Sequence, residues 1–146
     1  MLIIFLSACS DKPDNPKNQI KTVIDEVEIA TEKRSVALFN EHVSIDYKDK
    51  HHSDNQRLKR SLFGYFYRNK NIHLFTRIRN IEIINQTQAK ASVNVAMTGT
   101  QVDSAERLLM LKADIFRFNI DFVNIDDQWM ITGADWRRIH VKEFLD

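Results

Sequence analysis

The sequence has one cysteine, two prolines and three glycines in 146 residues. A single cysteine excludes an internal disulfide, and so little proline and glycine excludes collagen-like and low-complexity chains. There is no excess of one charge: the formal net charge is +1, so no chain-wide field selects nucleic acid. There is no run of about 20 apolar residues, the length that a membrane-spanning helix needs. A glycine-rich phosphate loop, a serine-nucleophile motif and a Cys–His pair are also missing. His51-His52-Ser53-Asp54 offers metal-ligating residue types. Adjacent histidines rarely converge on one ion, however, and no second cluster accompanies them, so a solvated loop with no metal and no cofactor is expected. Acidic residues are absent from Asn55 to Ile81, where Arg57, Lys59, Arg60, Arg68, Lys70, Arg77 and Arg79 occur. What is present, 43% hydrophobic residues, suffices for one core in one domain.

Met1 to Ala8 is apolar apart from Ser7 and ends in Leu6-Ser7-Ala8-Cys9. An apolar run before small residues is a secretory signature. These four residues resemble the lipobox of bacterial lipoproteins, although no Lys or Arg precedes the run. The resemblance implies cleavage before Cys9, a diacylglyceryl group on its sulfur and acylation of the new amine, with several acyl chains giving a stable anchor. Membrane lipid is then a partner through Cys9, and the location is the bacterial cell envelope, facing the periplasm. Ser10 stands where an Asp favours inner-membrane retention, so the outer membrane is favoured. Residues 1–8 read as the signal segment, 9–16 as a lipidated tether and 17–146 as a single domain.

Asn15-Pro16 starts a helix as N-cap and first helical residue. Ile20, Val23, Ile24, Val27 and Ala30 form its apolar stripe. A second helix is expected over Arg34 to His42, then a short extended piece from Val43 to Tyr47. Ser53 with Gln56 matches a capping box for a third helix running to Arg68, which buries Leu58, Leu62, Tyr65 and Phe66. Ile72 to Ile84 and Ala91 to Thr98 are β-branched and aromatic, as strands require. Leu111 to Arg138 reads as two long strands joined by a tight turn at Asp126-Asp127. Phe116, Phe118, Ile120 and Phe122 share one face of the first. Trp129, Ile131, Gly133, Asp135 and Arg137 are expected to share one face of the second. A two-residue turn would place Phe118 opposite Asp135, Phe116 opposite Arg137 and Arg117 opposite Trp136.

Three helices followed by a four-strand meander define an α+β class: three N-terminal helices packed on a strongly curved four-stranded antiparallel sheet. The element order, the Asp46-Tyr47-Lys48-Asp49 segment and the closing Trp129-Met130-Ile131 … Asp135-Trp136-Arg137-Arg138 strand resemble the nuclear-transport-factor-2-like, or SnoaL-like, superfamily over about Ile20 to His140. The resemblance implies a cone-shaped, cystatin-like fold with an apolar pocket. It carries no invariant catalytic string, so function must come from the site.

The candidate pocket residues are Asp46, Tyr47, Tyr65, Asp114, Arg117, Asp135, Trp136 and Arg137. A carboxylate on a strand among apolar neighbours has a raised pKa and can act as a base. Asp114 and Asp135 fit that description, with Tyr47 or Tyr65 supplying a phenol, as in the isomerases of the superfamily. The competing account pairs Asp135 with Arg137 or Arg117 and places Asp114 near Lys112, because buried charges are normally paired. That account is favoured, so no catalytic residue is assigned. The leading reading is a non-catalytic domain binding a small ligand or an envelope protein, without nucleic acid. The alternatives are an isomerase- or dehydratase-like enzyme, and an interaction protein that binds anionic envelope components or forms a homodimer through the outer face of its sheet. The basic run is read first as a solvated helix back plus strand charges paired with Asp25, Glu26, Glu28 and Glu32.

Overall fold

The computed structural model describes residues 15–111 and 113–146. Cys9, the expected signal segment, the expected tether through residue 14 and Lys112 lie outside the described residues. The Asn15 side chain accepts from the Lys17 amide at 2.9 Å and starts α1, Pro16–Glu32. Arg34 ends it at φ 55°. The Arg34 amide returns to the Thr31 carbonyl and the Ser35 amide to that of Ala30, the pairing that closes a helix with a left-handed residue. Ser35 caps α2, Val36–Asn40. Asp54 caps α3, Asn55–Arg68, by accepting from the Arg57 amide at 2.9 Å. The cap is therefore Asp54 and not Ser53, since Asp54 has the extended backbone the position needs.

Strands β1 (His73–Ile83), β2 (Gln88–Thr98), β3 (Asp114–Ile125) and β4 (Gln128–Arg138) form an antiparallel meander in the order β1-β2-β3-β4. Short helices α4 (Ala105–Met110) and α5 (Val141–Leu145) follow β2 and β4. Asp126 and Asp127 have φ of 50° and 63°, the two positive values of a type I′ turn, whose twist matches that of the flanking strands. Near this turn the strands pair as expected, with Phe122 opposite Ile131. Beyond it a bulge leaves Thr132 without a partner on β3, its carbonyl accepting from the Lys48 amide at 3.3 Å instead, and Asp121 faces Gly133. The outer half of the register is therefore corrected by one residue. Phe118 opposes Trp136, Phe116 opposes Arg138 and Arg117 opposes Arg137. A one-residue slip turns every later side chain to the other face. Trp129 and Ile131 thus share the inner face with Ala134 and Trp136, while Asp135 and Arg137 point outward.

A second bulge lies at Arg79 in β1, between Ile78 and Asn80. Bulges bend and twist a strand. With one in each edge strand, the sheet curls around the helices. The open edge of β4 is partly covered, because Val43 makes a parallel bridge to Ile131. The Ser44 amide donates to the Ile131 carbonyl at 2.8 Å, and the Ile131 amide to that of His42 at 2.8 Å.

Ile20 and Ile24 of α1 pack on Ala89, Ala91, Val93, Phe122, Trp129 and Ile131 inside the curl. The Trp129 indole donates to Gln19 at 3.1 Å, tying α1 to β4. A second cluster of Ala96, Ile115, Leu108, Ile139 and Phe144 sits under α4 and α5 on the convex face. The middle of that face is polar. Arg77, Asn94, Arg117 and Arg137 are partners in one row across all four strands. Arg77 donates to the carbonyls of Phe144 and Leu145, while Arg117 and Asn94 donate to that of Glu143. The row therefore satisfies the exposed carbonyls at the end of α5. Arg77 is thereby committed to α5 and not to the acids of α1. Those acids meet other groups: Glu26 lies 3.0 Å from His42 and Glu32 3.9 Å from His73.

Candidate functional site

Between the helices and the curled sheet lies a cavity of about 380 Å³. Its floor is built from every second residue of each strand: Leu74 and Thr76, then Val93, Val95 and Met97, then Phe116, Phe118 and Ile120, then Ala134 and Trp136. Its roof is Ile24 and Val27 of α1 with Leu58, Leu62, Tyr65 and Phe66 of α3. The strand period and the helix period thus point both apolar faces into one space.

Few polar groups reach it; besides the Tyr65 hydroxyl, which donates to the Met97 sulfur at 3.5 Å, they fall in two places. Glu28 of α1 lines one side. Burial raises its pKa; a hydrogen bond with Thr76 opposes this, and the charges of Glu32 and Asp25 add to the rise. The second place is a relay of four side chains. The Asp49 side chain is fully buried. It accepts from the Tyr47 hydroxyl and from the amides of His51 at 2.7 Å and His52 at 2.8 Å. The His52 Nδ1 lies 3.0 and 2.9 Å from its two oxygens. A carboxylate can only accept, so Nδ1 carries the hydrogen, and Nε2 lies 2.9 Å from the Ser61 hydroxyl. His52 and Ser61 both line the cavity. Burial pushes the Asp49 carboxyl up, but the donors from Tyr47, His52 and the two amides outweigh it and hold the pKa below the ordinary value. Tyr47 is raised far above a normal phenol by burial, then by its bond to Asp49 and the charges of Asp49 and Asp121.

Asp, His and Ser in sequence describe a base held in one tautomer. They do not describe an acyl-transfer nucleophile. Ser61 lies in the middle of α3, where the amides that could stabilise an oxyanion already bond within the helix. The arrangement can move a proton at His52 Nε2.

Of the residues singled out from the sequence, Tyr47, Tyr65 and Trp136 line the cavity. Tyr65 is raised by burial and then by the charge of Asp114. Asp114 itself stays at the rim, where Arg138 donates to it at 2.8 Å and lies over the Phe116 ring at 5.2 Å. Asp135 is on the convex side, 3.6 Å from Lys50. Asp46 is exposed, and Arg117 and Arg137 belong to the convex row. Neither Asp114 nor Asp135 is a base inside the cavity: Asp114 pairs with Arg138, and Asp135 with Lys50 instead of Arg117 or Arg137, while the expected neighbour of Asp114, Lys112, lies outside the described residues. The loop that reads as solvated supplies the relay instead. His51 is exposed and packs on Trp136 at 5.1 Å, with His52 at 6.2 Å from the same ring. Among the described residues no group of three acidic, histidine or cysteine side chains could hold a metal ion, and no helix is long and apolar enough to cross a membrane.

No family model and no curated protein matches the chain. Solved structures do. The chain is similar to an uncharacterised protein with a cystatin-like fold from Caulobacter vibrioides, at TM-score 0.70 and 13% identity over 88% of this chain and 93% of that one. It is similar to an NTF-2-like protein of unknown function from Shewanella oneidensis MR-1, at TM-score 0.61 and 13% identity over 84% and 98%. A third similar structure, from Novosphingobium aromaticivorans DSM 12444, is provisionally assigned as a scytalone dehydratase, at TM-score 0.70 and 12% identity over 85% and 84%. The chain has the NTF2-like, cystatin-like α+β fold.

Proposed function

We propose that this domain binds a small, mainly apolar molecule in the cavity under α1 and α3, and that acyl chains on Cys9 hold it at the periplasmic side of a bacterial envelope. The observation that carries the binding reading is the cavity itself. About 380 Å³ of space is left among Val95, Met97, Phe116, Phe118 and Leu62, where a structural core would be filled by side chains. The volume falls in the range of small-molecule sites, and the few convergent polar groups are of the kind that orient a ligand. Titration with 1-N-phenylnaphthylamine tests this. Saturable binding with a fluorescence rise is expected from the parent chain, and Val95→Trp, which fills the cavity, abolishes it. Equal binding by a folded Val95→Trp variant overturns the reading. The anchor is tested separately by mass spectrometry of membrane fractions, where an unmodified Cys9 would refute it.

One observation favours a second reading, an isomerase- or dehydratase-like enzyme. The Asp49–His52 pair presents a basic nitrogen to an apolar cavity, which is what proton abstraction requires. In that reading the base is His52. A molecule that co-purifies in the cavity would gain deuterium in D₂O with the parent and not with His52→Gln. No gain with the parent removes this reading.

A further inference from the structure

The acid-free basic stretch does not form one surface. Arg77 belongs to the convex row, whereas Arg57, Arg60 and Arg68 lie on α3, on the other side of the sheet. At about 100° per residue, α3 has two distinct faces. Leu58, Leu62, Tyr65 and Phe66 point inward to the core and cavity. Arg57, Arg60, Phe63, Tyr67 and Arg68 fall together on the opposite arc, and all five are exposed. Phe63 is 68% exposed and Tyr67 79%. They stand one turn apart, so their rings are neighbours on the helix surface. Among the described residues, Arg57, Lys59, Arg60, Arg68 and Lys70 make no ion pair.

We propose that this outward face of α3 is a docking surface for an anionic phospholipid bilayer. The chemistry is specific in two respects. Two large aromatic side chains project from a convex helix, where they can enter the headgroup boundary without a complementary groove, and arginines on either side meet lipid phosphates. The chain as a whole carries a formal charge of only +1. An anionic surface is therefore attracted by this face and not by the molecule at large, and the protein docks in one orientation. The inference does not require a lipid on Cys9, and it does not depend on what fills the cavity.

The test uses the full chain carrying Cys9→Ser, sedimented with vesicles of phosphatidylcholine alone or mixed with phosphatidylglycerol. Binding is expected to the mixed vesicles only, and to weaken as salt is raised. Each arginine near the surface contributes about fivefold to partitioning. The triple variant Arg57→Gln, Arg60→Gln, Arg68→Gln, folded by circular dichroism, should therefore bind on the order of a hundredfold more weakly. Phe63→Trp should show a blue-shifted emission on the mixed vesicles. The proposal is overturned if the triple variant binds as tightly as its parent. It is equally overturned if Phe63→Trp binds without a spectral shift, or if heparin or single-stranded RNA captures the protein and the mixed vesicles do not.

Discussion

Replacing Asp49 by alanine removes the acceptor on which the loop beside the cavity is built. The Tyr47 hydroxyl loses its partner, and Tyr47 is only 3% exposed, so water reaches it poorly. A buried donor left unpaired costs about 1–3 kcal/mol. The His52 ring and the amides of His51 and His52 lose theirs too, but lie closer to solvent and recover part of the loss from water. A total near 3 kcal/mol at pH 7 follows, which for a domain of this size lowers Tm by roughly 10 °C. The pH dependence supplies an internal check. The folded pKa of Asp49 is held below its ordinary value, so its charge stabilises the fold fully above about pH 4. That contribution fades as the pH falls through the lowered folded pKa. Urea unfolding of parent and Asp49→Ala, followed by circular dichroism at pH 7 and at steps down to pH 2, should show a gap that narrows below pH 4. Taking the difference cancels the other carboxylates, which both proteins share. A gap under about 1 kcal/mol at pH 7, or one that stays constant to pH 2, would refute this account of the relay.

Two further substitutions test the framework. Phe144→Ala removes a fully buried ring that stacks on Phe75 with centroids 5.6 Å apart; a loss of about 3–5 kcal/mol is expected from urea unfolding. Asp127→Gly places glycine where φ is 63° and should raise stability by about 0.5–1 kcal/mol, read as a higher Tm in calorimetry.

Much of the fold is legible because periodicity reports faces directly. Val93, Val95 and Met97 alternate cleanly, as do Phe116, Phe118 and Ile120, and all six line the cavity. The Asp126-Asp127 turn is legible because its residues tolerate positive φ. The second half of β4 departs from the expected alternation because the bulge inserts Thr132. A signal was available: the apolar positions change parity between Ile131 and Ala134, and Gly133 sits beside the change, as glycines near bulges do. The relay is harder to see. Asp49, His52 and Ser61 belong to a polar loop and a helix back, and only the folding of the loop onto α3 brings the three together. Asp114 and Asp135 look buried because their sequence neighbours are apolar, yet an end-of-strand position and an outward parity leave both in contact with cations at the surface. Composition along the chain carries no information on which side of a bulge a residue falls.

The bulged Thr132 has an evolutionary corollary. Losing its codon would remove the bulge and leave simple alternation, with Gly133 still opposite Asp121, Ala134 and Trp136 still inside, and Asp135 and Arg137 still outside. Point changes at this threonine should be well tolerated. What the extra residue supplies is bend: without it this wall of the hollow runs straighter, and the facing of the strand survives a change in length that its curvature does not.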